Sequence, residues 1–494
     1  MKYILAIDQG TSSSRCIVYN QAAQPIAVAQ QEFQQIYPQP GWVEHDAEEI
    51  WRSQAKVIQM AMHQQNLQPS DIAGIGITNQ RETTVIWDRS TGKPIHNAIV
   101  WQDRRTAFEC SRLKEAGFEA LIQSKTGLLL DAYFSATKIK WLLDNVAGTR
   151  DKAERGELAF GTIDSWLVWH LTQGELHITD VSNASRTLLY NIEDMRWDPE
   201  LLTLFNIPAA LLPTVKTSSE IYGLTQNPDI GEGIPIAAIV GDQQAALFGQ
   251  LCHQPGMAKC TYGTGCFLMM NTGKRKITSK HRLISTVAWQ IGNDVTYALE
   301  GSVFMGGAVM QWLRDGLLVF KEAAESETLA GSVNDNGGIY FVPALTGLGA
   351  PHWDPHARGA IFGITRGTTH AHLARAALES IAFQVDELLQ TMILDYGETI
   401  RQLRIDGGAA RNDLMVQFQA DIANISIVRP SNLETTALGA AYLAGLAVGF
   451  WNLDEISNTW RINQTFLPNR ASEQVDTLKH YWQKAVGRAK GWAE

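Results

Sequence analysis

Two stretches far apart in the chain carry the same local pattern, and that recurrence limits the architecture more than any other feature. Near the start, the apolar run "YILAI" ends at Asp8, a turn of Gly10 and the hydroxyl residues "TSSS" follows, and Arg15 opens the return run "RCIVYN". At 257–271, "MAKCTYGTGCFLMMN" again reads as strand, Gly-Thr-Gly turn, strand. A hairpin used twice marks a weak internal repeat, one architecture built in two halves. At 494 residues the chain also exceeds what a single core supports. We place the boundary after "GDQQAALFGQ", giving lobes 1–250 and 251–494. No Pro- or Ser-rich linker separates them, which predicts close packing with a cleft between.

Apolar spacing supplies the elements. Residues 3–8, 15–20 and 25–31 read as an antiparallel meander, 46–65 as a helix with Asp46 and Glu49 in capping positions, and 72–78 as a buried strand. In the second half, "STVAWQ" and "VTYALEG" read as strands and 304–318 as a helix. "IRQLRIDGGAARNDLMVQFQADI" (400–422) reads as strand, glycine turn, helix. "YFSATKIKWLLDN" (133–145) reads as a helix capped by Ser135 with Ile139, Leu142 and Leu143 inward. "ALGAAYLAGLAVGF" (437–450) is shorter than the roughly 20 residues that span a bilayer. Its small residues predict a buried, closely packed helix. The tail "LKHYWQKAVGRAKGWAE" predicts an amphipathic helix.

Composition excludes some function classes. A net charge of −10 leaves no basic surplus to displace counterions from nucleic acid. The five cysteines form no C-x-x-C pair and no even framework, so neither zinc nor disulfides are expected. The first apolar run is too short for a secretory leader, and the cytoplasm is the expected compartment.

The turns have a chemistry. Glycine lets backbone amides approach an anion, and the hydroxyls of Thr11, Ser12 and Ser13 add donors. Arg15 stands on the returning strand within reach of the same anion. An acid at Asp8 beside a phosphate needs a bridging cation, so Mg²⁺ is expected there, with Asp242 as the second carboxylate. "YGTG" (262–265) offers a second phosphate turn through Thr264, and "DGGAARN" (406–412) a glycine-lined pocket for a flat ligand. Together they predict a nucleotide site between lobes. Neither G-x-x-x-x-G-K-[ST] nor G-x-G-x-x-G occurs.

"DQGTSSSR", "GITNQRET", "VGDQQAALFGQ", "TYGTGCF" and "GGAARN", in this order, resemble the FGGY family of carbohydrate kinases over nearly the whole length. "YFSATKIKWLLDN" and "GAIFGITRGTTHAHLARAALE" (359–379) fit its two signatures. The resemblance implies an α/β, two-lobed actin/hexokinase/Hsp70-like ATPase fold, each lobe a ribonuclease H-like mixed sheet flanked by helices. It also implies MgATP as phosphoryl donor and, from "NQRET" with "GDQQ", glycerol as acceptor. Arg81 and Glu82, just past a strand, supply a donor and an acceptor for one hydroxyl. By resemblance, Tyr133, Asp242 and Gln243 complete the polar set, Trp101 and Phe267 form an apolar wall, and Gly307, Gln311, Gly408 and Asn412 contact the nucleotide. Asp242 is expected to accept the proton of the attacking hydroxyl, with Arg15, Thr11 and Thr264 on phosphate oxygens.

Other readings stand beside these. Asp242 also suits the N-cap of "QQAALFGQL", the "RE" pair a solvated surface, and "HWDPH" (352–356) has metal-ligand residue types. The substrate alternatives are another polyol or a ketopentose. From another class comes an actin- or chaperone-like ATP-driven assembly module. Some relatives are inhibited by fructose 1,6-bisphosphate at a glycine loop carrying arginine. The matching "TQNPDIGEGIPI" holds Asp229 and Glu232 and no base, so that inhibition is not expected. Homo-oligomerisation is implied by the resemblance, and a phosphotransferase-system partner has no support in the residues.

Overall fold

The computed structural model describes every residue except Pro355 and Glu494. In the first half, β1 (Tyr3–Gln9), β2 (Ser13–Tyr19) and β3 (Pro25–Glu32) form the meander, with Asp8 directly opposite Arg15. β4 (Ile72–Asn79) runs parallel to β1, and β5 (Pro235–Gly241) parallel to β4. The second half repeats this with β6 (Ala258–Tyr262), β7 (Cys266–Gly273), β8 (Asp294–Val303), β9 (Gln402–Asp406) and β10 (Ser426–Pro430). Both sets follow one order: β3-β2-β1-β4-β5 and β8-β7-β6-β9-β10. The recurring hairpin of the sequence is therefore the first connection of a repeated five-strand unit. Strand Ser219–Leu224 lies beside β5 and strand Ile284–Ile291 beside β8. Their single pairing, Ser219 to Ile291, joins all 13 strands into one sheet.

The helices bury the faces their spacing dictates. Helix α1 (Ala47–Gln64) buries Ala47, Ile50, Val57, Ile58 and Ala61 against the first sheet. At the centre, α2 (Asp242–Gly249) follows β5 and α3 (Thr435–Ala447) follows β10, so they are counterparts in the two halves. They cross at glycines. A Cβ on Gly249 would lie 2.0 Å from the Thr435 carbonyl oxygen, and one on Gly439 1.9 Å from that of Ala245. The small-residue run near 437–450 is this close-packed helix, and no helix among the described residues is long and apolar enough to cross a membrane. The tail helix Ser472–Ala489 is amphipathic, burying Trp482, Ala485, Val486 and Ala489.

Several local expectations are corrected. Asp46 does cap α1, accepting from the Glu48 amide, but Glu49 does not close a capping box; its carboxylate accepts from the Gln34 amide at 3.2 Å. Ser135 is the first residue of its helix rather than the cap, and its hydroxyl donates to the Glu82 carbonyl at 3.0 Å. Asp242 likewise opens α2 with Gly241 as cap. The helix expected at 304–318 spans only Ala308–Asp315. Gly306 and Gly307 are drawn off by the second hairpin, their amides donating to Thr264 and Gly263 carbonyls at 2.8 Å each.

Candidate active site

β1, β4 and β5 are adjacent and parallel, and each ends in site residues: Asp8 near the end of β1, Arg81 and Glu82 just past β4, Asp242 just past β5. Loops at the carboxyl ends of parallel strands converge on one edge of the sheet, where ligands bind in such folds.

The first hairpin is closed by the Gly10 amide donating to the Ser13 carbonyl at 3.0 Å. The Thr11 hydroxyl accepts from Trp101 Nε1 at 3.0 Å, the Ser13 hydroxyl from Gln30 at 3.0 Å, and Ser12 is exposed. Arg15 pairs with Glu434, which precedes α3 in the other half, and donates to Gln30 Oε1 at 2.9 Å. Burial pushes the Asp8 carboxyl up to about 7; Arg15 opposes this, while the nearby charges of Asp242 and Glu434 add to it.

The second hairpin, the Gly306–Gly307 turn and the helix carrying Gln311 form one unit, joined by the amide bonds of Gly306, Gly307 and Ala308 to Gly263 and Thr264. Thr264 itself is exposed. Gly407 packs against this unit with φ of 88°, a conformation suited to glycine; a Cβ there would stand 2.5 Å from the Tyr262 oxygen. Gly408 beside it is exposed. The Asn412 side-chain oxygen caps the next helix, accepting from the Met415 amide at 2.9 Å.

The polar cluster around Arg81 and Glu82 is more heavily framed than the sequence indicates. Arg81 and Glu82 are 2% and 1% exposed, so the solvated-pair reading fails. Glu82 holds φ of 61°, strained for a residue with a Cβ. Arg81 donates to both oxygens of Glu300, at 2.6 and 2.9 Å, and to Gln244 at 3.1 Å and the Tyr133 hydroxyl at 3.4 Å. Its Nε lies 3.2 Å from Asp242 Oδ1. Glu82 accepts from Arg186 at 2.6 Å. Burial raises the Glu82 carboxyl, with Arg186 and Arg81 opposing. At Glu300 burial also works against charge, yet the same two guanidinia hold it down at about 2. Trp101 meets Tyr133 edge-on at 5.5 Å and Phe267, from the other half, at 6.5 Å, which brings the three aromatic residues together. Gln243 accepts from the buried Lys259 ammonium at 2.5 Å. Burial lowers the pKa of that lysine.

Glu300, Arg186, Gln244, Lys259 and Glu434 are site residues that the sequence reading missed. Lys259 and Glu300 carried a signal, each being a charge inside an apolar strand, which requires a buried partner. Arg186, in "NASRTLLY", carried none.

The described residues hold no group of three or more His, Cys, Asp or Glu suited to a metal. "HWDPH" therefore has no metal set, although its Pro355 lies outside the described residues; His352 bonds Glu387 at 3.1 Å. Asp8 and Asp242, two carboxylates close enough for one to raise the pKa of the other, fit a Mg²⁺ ion that takes its other ligands from phosphate and water. A groove of about 620 Å³ lined by Tyr3, Gln21, Phe450 and Trp451 lies near the opposite end of β1 and contains none of these groups.

Models of the FGGY family of carbohydrate kinases match the chain over residues 3–249 (N-terminal domain) and 258–448 (C-terminal domain). A glycerol kinase of Burkholderia ambifaria is 60% identical over 494 residues, covering 100% of this chain and 99% of that protein. Among solved structures, Plasmodium falciparum glycerol kinase with ADP superposes with a TM-score of 0.93 at 37% identity, covering 99% of this chain and 98% of that one. A ligand-bound xylulose kinase of Lactobacillus acidophilus shares the fold, with a TM-score of 0.87 at 23% identity and coverage of 99% and 97%. With both domain models matched and a full-length relative at this identity, the chain belongs to the FGGY family of carbohydrate kinases.

Proposed function

We propose that the chain is an ATP:glycerol 3-phosphotransferase, moving the γ-phosphate of MgATP to glycerol to give sn-glycerol 3-phosphate and ADP. The observation that carries this is the juxtaposition of Asp242 with Arg81 and Tyr133 beside the Trp101–Phe267 wall. It is supported by full-length similarity to glycerol kinases. A small triol needs several convergent polar groups and one apolar side. Leaving those buried groups unpaired penalises ligands that lack the hydroxyls.

In this reading Arg81, Glu82, Tyr133 and Gln243 hold the hydroxyls, and Asp242 accepts the proton of the attacking one as its oxygen approaches the γ-phosphorus in line. Only partial proton transfer is needed in a loose transition state, so a carboxylate suffices. Arg15, Thr11, Ser12, Ser13 and Thr264 neutralise and position phosphate oxygens. Arg15 exchanges its Glu434 partner for phosphate in doing so. Gly307, Gln311, Gly408 and Asn412 receive the nucleoside. Asp8 and Asp242 would hold Mg²⁺, which supplies charge neutralisation on the β- and γ-phosphates. We divide the chain at residue 250, the first lobe carrying the polyol site and the second the nucleoside pocket. We assign the reaction to the cytoplasm and infer a homo-oligomer by resemblance to the family. No bisphosphate inhibition is assigned to the 225–236 loop, whose Asp229 and Glu232 repel an anion.

The test is a substrate panel with MgATP. The expected result is the highest kcat/KM for glycerol, ahead of dihydroxyacetone, xylulose and ribulose. Equal or better turnover of a pentulose would replace glycerol by that sugar. ATP turnover independent of any polyol would favour an assembly module.

A further inference from the structure

The polyol-facing groups do not stand alone; they are held by a buried charge frame that closes across the two halves. Glu300 lies in the middle of β8, in the second half, and is 1% exposed. Its Oε1 receives Arg81 Nη2 at 2.9 Å and Arg186 Nη2 at 3.1 Å, and its Oε2 receives Arg81 Nη1 at 2.6 Å. Arg186, 0% exposed, places Nε on Glu82 at 2.6 Å and packs its guanidinium 5.7 Å from the Tyr133 ring centre and 5.3 Å from that of Phe134. Two guanidinia and two carboxylates thus balance, with Asp242 attached through Arg81 Nε.

We propose that Glu300 and Arg186 are positioning residues for the phosphoryl acceptor: Glu300 fixes Arg81 and through it the Asp242 carboxylate, and Arg186 fixes Glu82. This rests on the function proposed above. The geometry gives the reason. A guanidinium gripped at both Nη atoms by one carboxylate has a single plane in which its Nε can face Asp242. Glu82, at a left-handed backbone position, has its carboxylate direction set by Arg186. Because Glu300 belongs to the other half, Arg81 and Asp242 reach this arrangement only when the halves are packed as seen here. The nucleotide groups (Thr264, Gly307, Gln311, Gly408 and Asn412) make no hydrogen bond or ion pair within this frame, so a defect in the frame should fall on acceptor binding and not on ATP.

The test compares Glu300→Gln and Arg186→Lys with the parent in steady-state kinetics, varying glycerol and MgATP separately, with thermal unfolding alongside. Glu300→Gln keeps shape and one acceptor but removes the charge; Arg186→Lys keeps charge but not the fork. The expected result for both is a loss of about 10–100-fold in kcat/KM for glycerol, as a raised KM in each and, for Glu300→Gln, a lowered kcat as well. The KM for ATP should stay within about twofold and the isosteric Glu300→Gln should remain folded. A glycerol KM within about twofold of the parent in folded variants overturns the inference, as does an equal loss toward both substrates, which would mark a merely structural role. If Glu300→Gln does not fold, Arg186→Lys decides by the same criteria. A parent that phosphorylates no glycerol overturns the functional reading and the inference with it. A normal parent with unaffected variants overturns the inference alone.

Discussion

Replacing Asp242 by Asn isolates the chemical step from the architecture. Asn retains a side-chain oxygen at the position that accepts from the Gln243 amide at 2.7 Å and faces Arg81 Nε at 3.2 Å. The start of α2 and the outline of the polar frame should therefore survive. What disappears is a proton acceptor and one negative charge. General base catalysis contributes about 10²–10⁴-fold. The loose transition state of phosphoryl transfer requires only partial proton transfer, which places this case toward the lower part of that range. We expect kcat to fall about 10²–10³-fold, equivalent to roughly 2.7–4 kcal/mol of transition-state stabilisation. ADP release at saturating glycerol measures turnover, a rapid-quench single turnover isolates the chemical step, and calorimetry measures ADP binding without metal, which should match the parent. Asp242→Glu, with its carboxylate displaced by one methylene, should fall between the two. A single-turnover rate for Asp242→Asn within about tenfold of the parent would falsify the base assignment.

Arg81→Lys removes the two-pronged grip on Glu300 and the link to Asp242 together, so kinetics should show a raised glycerol KM and a lowered kcat, not a pure binding defect. Gly439→Ala places a methyl into the Ala245 carbonyl at the helix crossing; chemical denaturation should report a loss of about 1–3 kcal/mol or more. Gly407→Ala meets both a φ of 88° and the Tyr262 oxygen, and fluorescence titration should show weakened ADP binding. His45 is buried with Nδ1 unpartnered, and burial holds its pKa at about 4. The unfolded chain, near 6.5, binds the extra proton first, so His45 lends stability above that value which is lost as pH falls from 6.5 toward 4. Relative to His45→Gln, the parent should lose about 3 kcal/mol across that window. Asp8 and Asp164, both raised to about 7 by burial, titrate in the opposite sense but are common to both proteins and cancel in the difference.

What the sequence determined by itself is local and periodic. Alternation and apolar runs gave the meander, the strand leading to Glu82, and the buried glycine-rich helix, because backbone period and side-chain burial are written within a few residues of each other. The glycine–hydroxyl bends were equally legible as turns, since the tight bend resides in the turn residues themselves. Helix ends were read less well: Ser135, Glu49 and Gly306 each had a tertiary partner that outcompeted the local capping choice. The charge frame was decided only in three dimensions. Arg81, Arg186 and Glu300 lie in three separate segments, and no local pattern relates them. A buried ion network takes its energy from partners brought together by packing two halves, and those distances exist only in the folded chain.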